Sequence, residues 1–223
     1  MCFSASASFA AGTSLSAMGV ATVRTTTRRG ERLFASIPLI FGIQQFIEGL
    51  VWLSLSYTNA TFTSITSYAF LFFAYLFWPV FIPFAVRFLE TDVRRRKLFV
   101  SLQLGGGAIS LYYLYTLVTH PLTTEVTGQS IGYYLNTQYN VVVACLYVLI
   151  TCGSLLMSSH RMIKLFGILA TASVMATYYF YKATFTSVWC FFAALLSAII
   201  WWYLWRERRR MPRFKIRAVP PRR

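Results

Sequence analysis

Charged residues are scarce in this chain, and acidic ones are almost missing. Only 12% of its 223 residues are charged, against about a quarter in an average soluble domain. Just 6 are Asp or Glu, and 21 Lys and Arg give a formal net charge of +15. A nucleic-acid-binding protein interleaves its basic residues with aromatics. Here they stand in clusters between long apolar runs, so nucleic-acid binding is excluded and a membrane protein is indicated.

Two other features are missing. The four cysteines show no close pair at metal-knuckle spacing, which excludes a zinc ribbon and gives no sign of a disulfide framework. No basic residue precedes the first apolar stretch, because the first positive charge is Arg24. That order is unlike a secretory signal and suits a first helix that enters the membrane with its N-terminus outside.

Apolar runs are what the chain has in quantity. Since a bilayer core needs about 20 apolar residues per helix, the sequence predicts an all-α, polytopic membrane protein whose seven transmembrane helices form one bundle. This transmembrane domain covers residues 1–205. The seven predicted helices are Phe3 to Val23, Leu33 to Tyr57, Ile65 to Phe88, Leu98 to Val118, Tyr139 to Ser158, Ile163 to Tyr181 and Thr184 to Trp205.

The basic residues predict the orientation of the bundle. All of them except Lys182 lie at or just after the C-terminal ends of the first, third, fifth and seventh predicted helices. Short loops rich in Lys and Arg stay in the cytoplasm. We therefore expect the N-terminus outside, the C-terminus in the cytoplasm, and a basic tail at 206–223 that binds anionic lipids.

One outer connection, Thr119 to Gln138, is much longer than the others. Long connections in compact proteins are more often functional than idle. We expect this one to be a loop that covers the outer mouth of the bundle.

Glu48 is the only acidic residue inside a predicted helix. A carboxylate in hydrocarbon costs several kcal/mol, about 2.5 to 3.5 for central charged residues on insertion scales, so it should face the bundle interior or water. Gln44 lies one turn before it and Trp52 one turn after, while Gln45 borders the same face. This polar stripe predicts a site for an ion or small polar ligand. The structural alternatives are a protonated, hydrogen-bonded Glu48 and glutamines that join helices.

Further candidates come from the predicted depth of other side chains. Ser187, Trp189 and Cys190 on the seventh helix reach the depth of Glu48. Trp78 precedes a proline that bends the third helix, and bent helices often line cavities. We take Trp78, Ser187 and Trp189 as candidate lining of a ligand site or pathway.

Metal binding is a second interpretation. Cys2 starts the first helix on the same side as Cys190 and Glu48, and His120 belongs to the long outer connection. Thiolate, imidazole and carboxylate are the ligands that zinc prefers, and an open fourth position would make such a site catalytic. A buried cysteine is more often a small hydrophobe.

Small residues predict close helix packing in two places. Gly105 to Gly107 sit inside an apolar helix with no following Lys, so they favour helix contact over phosphate binding. Ser4, Ser6 and Ser8 give the first helix a face of small side chains, which indicates that this helix packs at the centre of the bundle.

Four segments resemble a family of uncharacterised bacterial multi-helix membrane proteins whose members begin Met-Cys-Phe-Ser-Ala. They are Met1 to Phe9, Gln44 to Gly49, Ser158 to Arg161 and Phe185 to Cys190. The resemblance implies a multi-pass protein of the bacterial inner membrane and brings no established activity.

The resemblance also implies which positions matter, namely Cys2, Glu48, His160, Trp189 and Cys190. Four of these fall on the outer side of the predicted bundle. His160 falls on the cytoplasmic side, where we expect it to cap the end of the fifth helix.

Three functions remain open from the sequence. The first is a small channel or carrier for an ion or small polar molecule, with Glu48 as the residue that binds or moves it. The second is an intramembrane zinc hydratase or hydrolase of a small substrate, with Glu48 as proton acceptor or ligand. The third is a non-catalytic assembly subunit. Nothing in the sequence excludes a homo-oligomer.

Overall fold

The structure, a computed structural model, describes residues 4–26, 29–135 and 141–210. It is mostly helical and adds one β-hairpin. The helices are α1 (Ala5–Thr25), α2 (Arg29–Ala35), α3 (Ile37–Ser56), α4 (Ala60–Leu71), a π-helical turn (Phe72–Phe77), α5 (Trp78–Leu89), α6 (Val93–Thr119), α7 (Val141–Leu156), α8 (Arg161–Phe180), a 3-10 turn (Lys182–Thr184) and α9 (Phe185–Arg210). The hairpin consists of β1 (Leu122–Thr127) and β2 (Ser130–Leu135).

All seven predicted segments fall on helices over their described residues. Five described helical runs are long and apolar enough to cross a membrane: Gly30–Ser56, Ala60–Leu89, Val93–Thr119, Arg161–Phe180 and Lys182–Tyr203. Helix α7 is apolar but only 16 residues long. Helix α1 has 21 residues, and its many serines, threonines and glycines lower its hydropathy. The helical fold is therefore confirmed, whereas the count of seven spans and their orientation stay predictions.

Local capping sets where several helices begin. The side chains of Ser4 and Asn59 accept the backbone N–H groups of Ala7 and Phe62 at the starts of α1 and α4. Asp92 accepts two N–H groups of the first turn of α6. Each cap satisfies a backbone donor that the helix itself leaves unpaired.

The proline-rich third segment is irregular, as its sequence predicts. In the π-helical turn the backbone N–H of Trp78 donates to the carbonyl of Phe73, five residues earlier. The next bond of this kind, to the carbonyl of Ala74, would need a backbone N–H at Pro79, and proline has none. The Tyr147 hydroxyl on α7 donates to the Ala74 carbonyl instead, at 2.5 Å. A neighbouring helix thus stabilises the irregular turn.

The long outer connection is not an irregular loop, so a strictly all-α fold was wrong. It folds back on itself as an antiparallel hairpin, with Gly128 at φ 64° supplying the turn geometry that favours glycine. Ile131 is fully buried, and the Tyr133 ring stacks on Phe70 with 5.0 Å between centroids. The hairpin therefore packs on one end of the helix bundle. Residues 136–138 of the predicted loop lie outside the described residues.

Small residues let α1 and α3 pack closely. A methyl group at Gly19 would lie 2.3 Å from the backbone nitrogen of Leu39, and one at Gly42 would meet the side chain of Ser16 at 2.4 Å. Such contacts are too short for any side chain larger than hydrogen. The small face of α1 thus lies against α3, as its serines and glycines predict.

Candidate functional site

Glu48 is fully buried in the middle of the bundle, on α3. The hydroxyl of Ser187, on α9, donates to its Oε1 at 2.5 Å. The Gln45 amide, one turn earlier on α3, donates to its Oε2 at 3.1 Å. Glu48 and Ser187, which the sequence predicts at similar depth, are thus joined by a direct hydrogen bond. Both oxygens of the carboxyl accept from neutral donors.

Gln44 joins the same cluster to α5. Its side-chain oxygen accepts the indole N–H of Trp78 at 2.8 Å, and Gln44 is itself fully buried. The Trp78 ring stacks on Phe41, with 4.0 Å between centroids. Because an indole N–H only donates, this bond fixes the orientation of the Gln44 amide, with its Nε2 pointing the other way.

Several buried polar atoms in and around this cluster have no hydrogen-bond partner among the described residues. They are Gln44 Nε2, Gln45 Oε1, Trp52 Nε1 and Trp189 Nε1. Leaving a buried donor or acceptor unpaired costs about 1–3 kcal/mol. Most buried polar atoms in folded proteins have a partner, so this set on α3 and α9 is unusual.

Cys190 connects the polar cluster to a small cavity. Its side chain lies beside Gln44 and Glu48, one turn along α9 from Ser187. It also lines a cavity of about 40 Å³ between α3, α5, α7, α8 and α9, together with Trp78 and Trp189. Three predicted site residues therefore meet at this cavity.

Trp52 lies one turn from Glu48, on the side of the hairpin. It is half-buried and packs against the apolar cluster that contains Val51, Cys190 and the hairpin residue Ile131. The hairpin thus closes this side of the bundle above the polar cluster. The predicted stripe of Gln44, Glu48 and Trp52 runs from the centre of α3 toward that cover.

The predicted zinc ligands are only partly described. Cys2 lies outside the described residues, and within the described ranges no three His, Cys, Asp or Glu side chains are grouped so that they could hold a metal ion. His120 follows the end of α6, and its Nδ1 lies 2.8 Å from the Thr119 hydroxyl. A zinc site with Cys2, Cys190 and His120 stays a prediction from the sequence.

A second polar cluster, at the end of α5, was missed. Glu90 follows the last residue of α5 and is buried. Its Oε1 accepts the Ser158 hydroxyl at 2.7 Å and the Ser159 N–H at 2.8 Å. Its Oε2 accepts the Ser159 hydroxyl at 2.6 Å. We call this set of three residues the Glu90 clamp. It ties the end of α5 to the connection between α7 and α8.

His160 adjoins the clamp. Its backbone N–H donates to Ser158 Oγ at 3.2 Å, and its Nε2 lies 3.1 Å from the carbonyl of Leu89. It occupies the N-cap position of α8 and does not end the preceding helix, so the expected C-cap was wrong. The only signal in the sequence was the Ser-Ser-His-Arg motif, whose partner Glu90 lies 68 residues earlier.

The clamp also sets the ionisation of Glu90. Burial favours the neutral acid, but the hydrogen bonds from Ser159 and Ser158 and the charge of His160 outweigh it and hold the pKa of Glu90 below its usual value of 4.5. A depressed pKa means that the ionised form stabilises the fold above pH 4.5. This contribution is lost as the pH falls through the lower, folded-state value.

We expect Glu90→Ala to lower the free energy of unfolding by about 2 kcal/mol, because one buried donor and two part-buried donors lose a charged acceptor. Unfolding of the purified protein in detergent measures this. Ser159→Ala removes only the shortest bond and should cost less.

Wild-type stability should also decline as the pH falls below 4.5, and this decline should be weaker in Glu90→Gln. If Glu90→Ala were no less stable than Glu125→Ala, at an exposed site on the hairpin, the clamp would have no structural role.

Fold and site together define a helical protein with several helices suited to a membrane and a buried polar cluster between them. The chain matches the model of a family of unknown function, DUF6629, over residues 1–217, and so belongs to that family. No curated protein and no solved structure matches it. The resemblance to an uncharacterised family is thus confirmed at the family level, while the bacterial origin stays a prediction.

Proposed function

We propose that the protein is a small integral membrane channel or carrier whose intramembrane site, around Glu48, binds an ion or small polar molecule. The observation that supports this most is the set of unpaired polar atoms beside a fully buried carboxyl. A bundle that used polar residues only to hold its helices together would be expected to pair them with each other. Here Gln44, Gln45 and Trp189 each keep one buried polar atom unpaired in the part of the chain that the structure describes.

The surroundings of the cluster support binding in an enclosed site. The hairpin packs over the bundle end nearest Trp52, with Ile131 and Tyr133 inserted among the helices. On the other side of Glu48, the Glu90 clamp ties helix ends together. A site between two such closures would exchange its ligand only when one of them opens, as in carriers with alternating access.

We further propose that the bundle crosses the membrane seven times, with the N-terminus outside and the basic C-terminal segment in the cytoplasm against anionic lipid. The distribution of Lys and Arg supports this. Membrane-impermeant maleimide should label Thr58→Cys and Glu125→Cys from outside, above the labelling of the unaltered chain, and should label Arg96→Cys only after the membrane is opened. The reverse pattern would overturn the orientation.

Solute flux tests the proposed function. Purified protein in liposomes is mixed with an isosmotic or labelled solute, and entry is measured by light scattering or by the trapped label. A panel of a small amide, a small ammonium ion, a carboxylate and alkali cations covers the ligand classes that Glu48 and its neighbours would accept. Flux above that of protein-free liposomes for at least one solute is expected. No flux for any member would contradict the proposal.

A further inference from the structure

We infer that a cavity at the end of the bundle opposite the hairpin is a second ligand site, and that its ligand is a small amphipathic amine. The cavity lies between α2, the end of α5, α8 and α9. None of its lining residues belongs to the hydrogen-bonded cluster around Glu48. This second site is therefore independent of the proposed channel or carrier.

The cavity is large enough to hold a whole small molecule. Its volume is about 100 Å³, against about 40 Å³ for the cavity beside Cys190. One water-sized group needs about 10–15 Å³ on the same measure. A ligand of about seven to ten heavy atoms therefore fits, on that estimate. The cavity is also partly open to the surface, so a ligand can enter from outside the bundle.

The floor of the cavity is apolar. Phe34 on α2, Ile163 and Phe166 on α8 and Ile200 on α9 line it, and each is at most 6% exposed. Pockets for small molecules are typically lined in this way by aromatic and aliphatic side chains, with a few polar groups that fix the orientation. The ligand should therefore have an apolar body, such as an aromatic ring.

Polar atoms also border this cavity, and two of the polar side chains accept hydrogen bonds. His160 and Glu31 both line it. The Nε2 of His160 lies 3.1 Å from the carbonyl oxygen of Leu89, and a carbonyl only accepts, so Nε2 carries the proton. The Nδ1 of the neutral ring is then an acceptor. An ionised Glu31 carboxylate also only accepts, and its two oxygens have room for several donors at once. The hydroxyl of Tyr203, the third polar lining residue, suits either role. The polar end of the ligand should therefore donate.

Glu31 also decides the charge of that donor. An ammonium group gains both hydrogen bonds and charge attraction from a carboxylate, whereas an alcohol gains only the bonds and an anion is repelled. No Lys or Arg of the described chain lines the cavity. Arg32, Arg161 and Lys164 belong to the surrounding helices, but their side chains are exposed. Salt screens such charges over about 8 Å, so the carboxylate at the wall has the larger effect.

Equilibrium binding of three labelled compounds tests the site. 2-Phenylethylamine, 2-phenylethanol and phenylacetate share an aromatic body and differ in their polar end. The unaltered chain is held in phosphatidylcholine nanodiscs, binding to empty nanodiscs is subtracted, and excess unlabelled compound identifies the saturable part. The amine should bind about tenfold more tightly than the alcohol, at the lower end of what a hydrogen bond to a charged group contributes. Phenylacetate should show no saturable binding.

Two pairs of variants test the assigned residues. Glu31→Gln removes the charge and should weaken amine binding about tenfold, while Glu125→Gln, at an exposed position on the hairpin, should leave it unchanged. Met162 is half-buried and lines the cavity, so Met162→Trp should fill it and abolish saturable binding. Met175→Trp makes the same change at an exposed position on the same helix and should bind the amine like the unaltered chain.

Equal or tighter binding of 2-phenylethanol or phenylacetate would show that the ligand is not an amine. Absence of saturable binding for all three compounds, as expected if a lipid chain fills the cavity, would overturn the site itself. Amine affinity that survives Met162→Trp would place the binding elsewhere, and affinity that survives Glu31→Gln would remove the reason for an amine. Because the three compounds are compared on the unaltered chain, the comparison decides the matter even if a variant fails to fold. Solute flux past Glu48 is a separate measurement, and none of these results changes it.

Discussion

Proteoliposomes that contain Glu48→Gln are expected to lose solute flux down to the level of protein-free liposomes. The substitution keeps the size of the side chain and one acceptor oxygen for the Ser187 hydroxyl. It removes the ionisable group and turns one acceptor into a donor. Ionisable residues inside a membrane usually mark the path of an ion, a proton or a polar molecule, so loss of this group is expected to abolish transport.

The same substitution should leave folding intact, and the structure gives the reason. The new amide would face Gln45, whose Nε2 now donates to Glu48 and whose Oε1 has no partner in the described part of the chain. Rotation of the Gln45 amide would present that oxygen to the new donor. Size-exclusion chromatography and thermal unfolding should therefore resemble those of the wild type.

The matched control for this experiment is Glu125→Gln. It removes the same chemical group from an exposed position on the hairpin and should transport like the wild type. If Glu48→Gln transports like Glu125→Gln and the wild type, Glu48 is a structural residue. The channel hypothesis and the zinc-enzyme hypothesis then both lose their central residue. If Glu48→Gln fails to fold, the flux result carries no weight and Glu48→Asp replaces it.

Part of the cluster around Glu48 could be predicted from the sequence, namely the contacts that follow from helical periodicity and from the depth of a residue in the membrane. Gln44 and Glu48 lie one turn apart on α3, so their common face follows from 3.6 residues per turn. Ser187 was placed at the same depth by the order of the helices, and it does contact Glu48. Neither argument could find the bond from Trp78 to Gln44, because that bond depends on how α3 and α5 are rotated against each other.

Other parts of the fold were missed for identifiable reasons. The hairpin shows no clear apolar alternation, since Thr123, Thr124 and Glu125 dominate β1. In β2 the first three residues are all buried, whichever face they lie on. Glu90 follows an apolar helix and precedes a basic run, which is typical of a solvated loop. Its burial depends on Ser158 and Ser159 from a distant connection. Pairings of this kind leave no periodic trace in a single sequence.

The glycine run on α6 gives the second prediction with a large effect. A methyl group at Gly106 would lie 2.0 Å from the carbonyl oxygen of Pro79, on α5. Backbone atoms cannot rotate away as a side-chain end can, so α5 and α6 would have to separate. Overpacking of a well-packed interior typically costs about 1–3 kcal/mol and occasionally more. We expect Gly106→Ala to reach the upper end or to prevent folding, as measured by the yield of monodisperse protein and its unfolding in detergent.

The next residue supplies the control, because the prediction depends on one helix face and not on glycine as such. A methyl group at Gly107 would meet nothing within 4 Å. Gly107→Ala should therefore be neutral or should stabilise the helix by up to about 1 kcal/mol, the difference in helix propensity between the two residues.

Movement of α5 would also disturb the π-helical turn and Trp78, which lies one residue before Pro79 and holds Gln44. Any Gly106→Ala protein that still folds should thus lose flux, while Gly107→Ala keeps it. Equal yield and equal flux for the two variants would mean that α5 and α6 do not pack through Gly106.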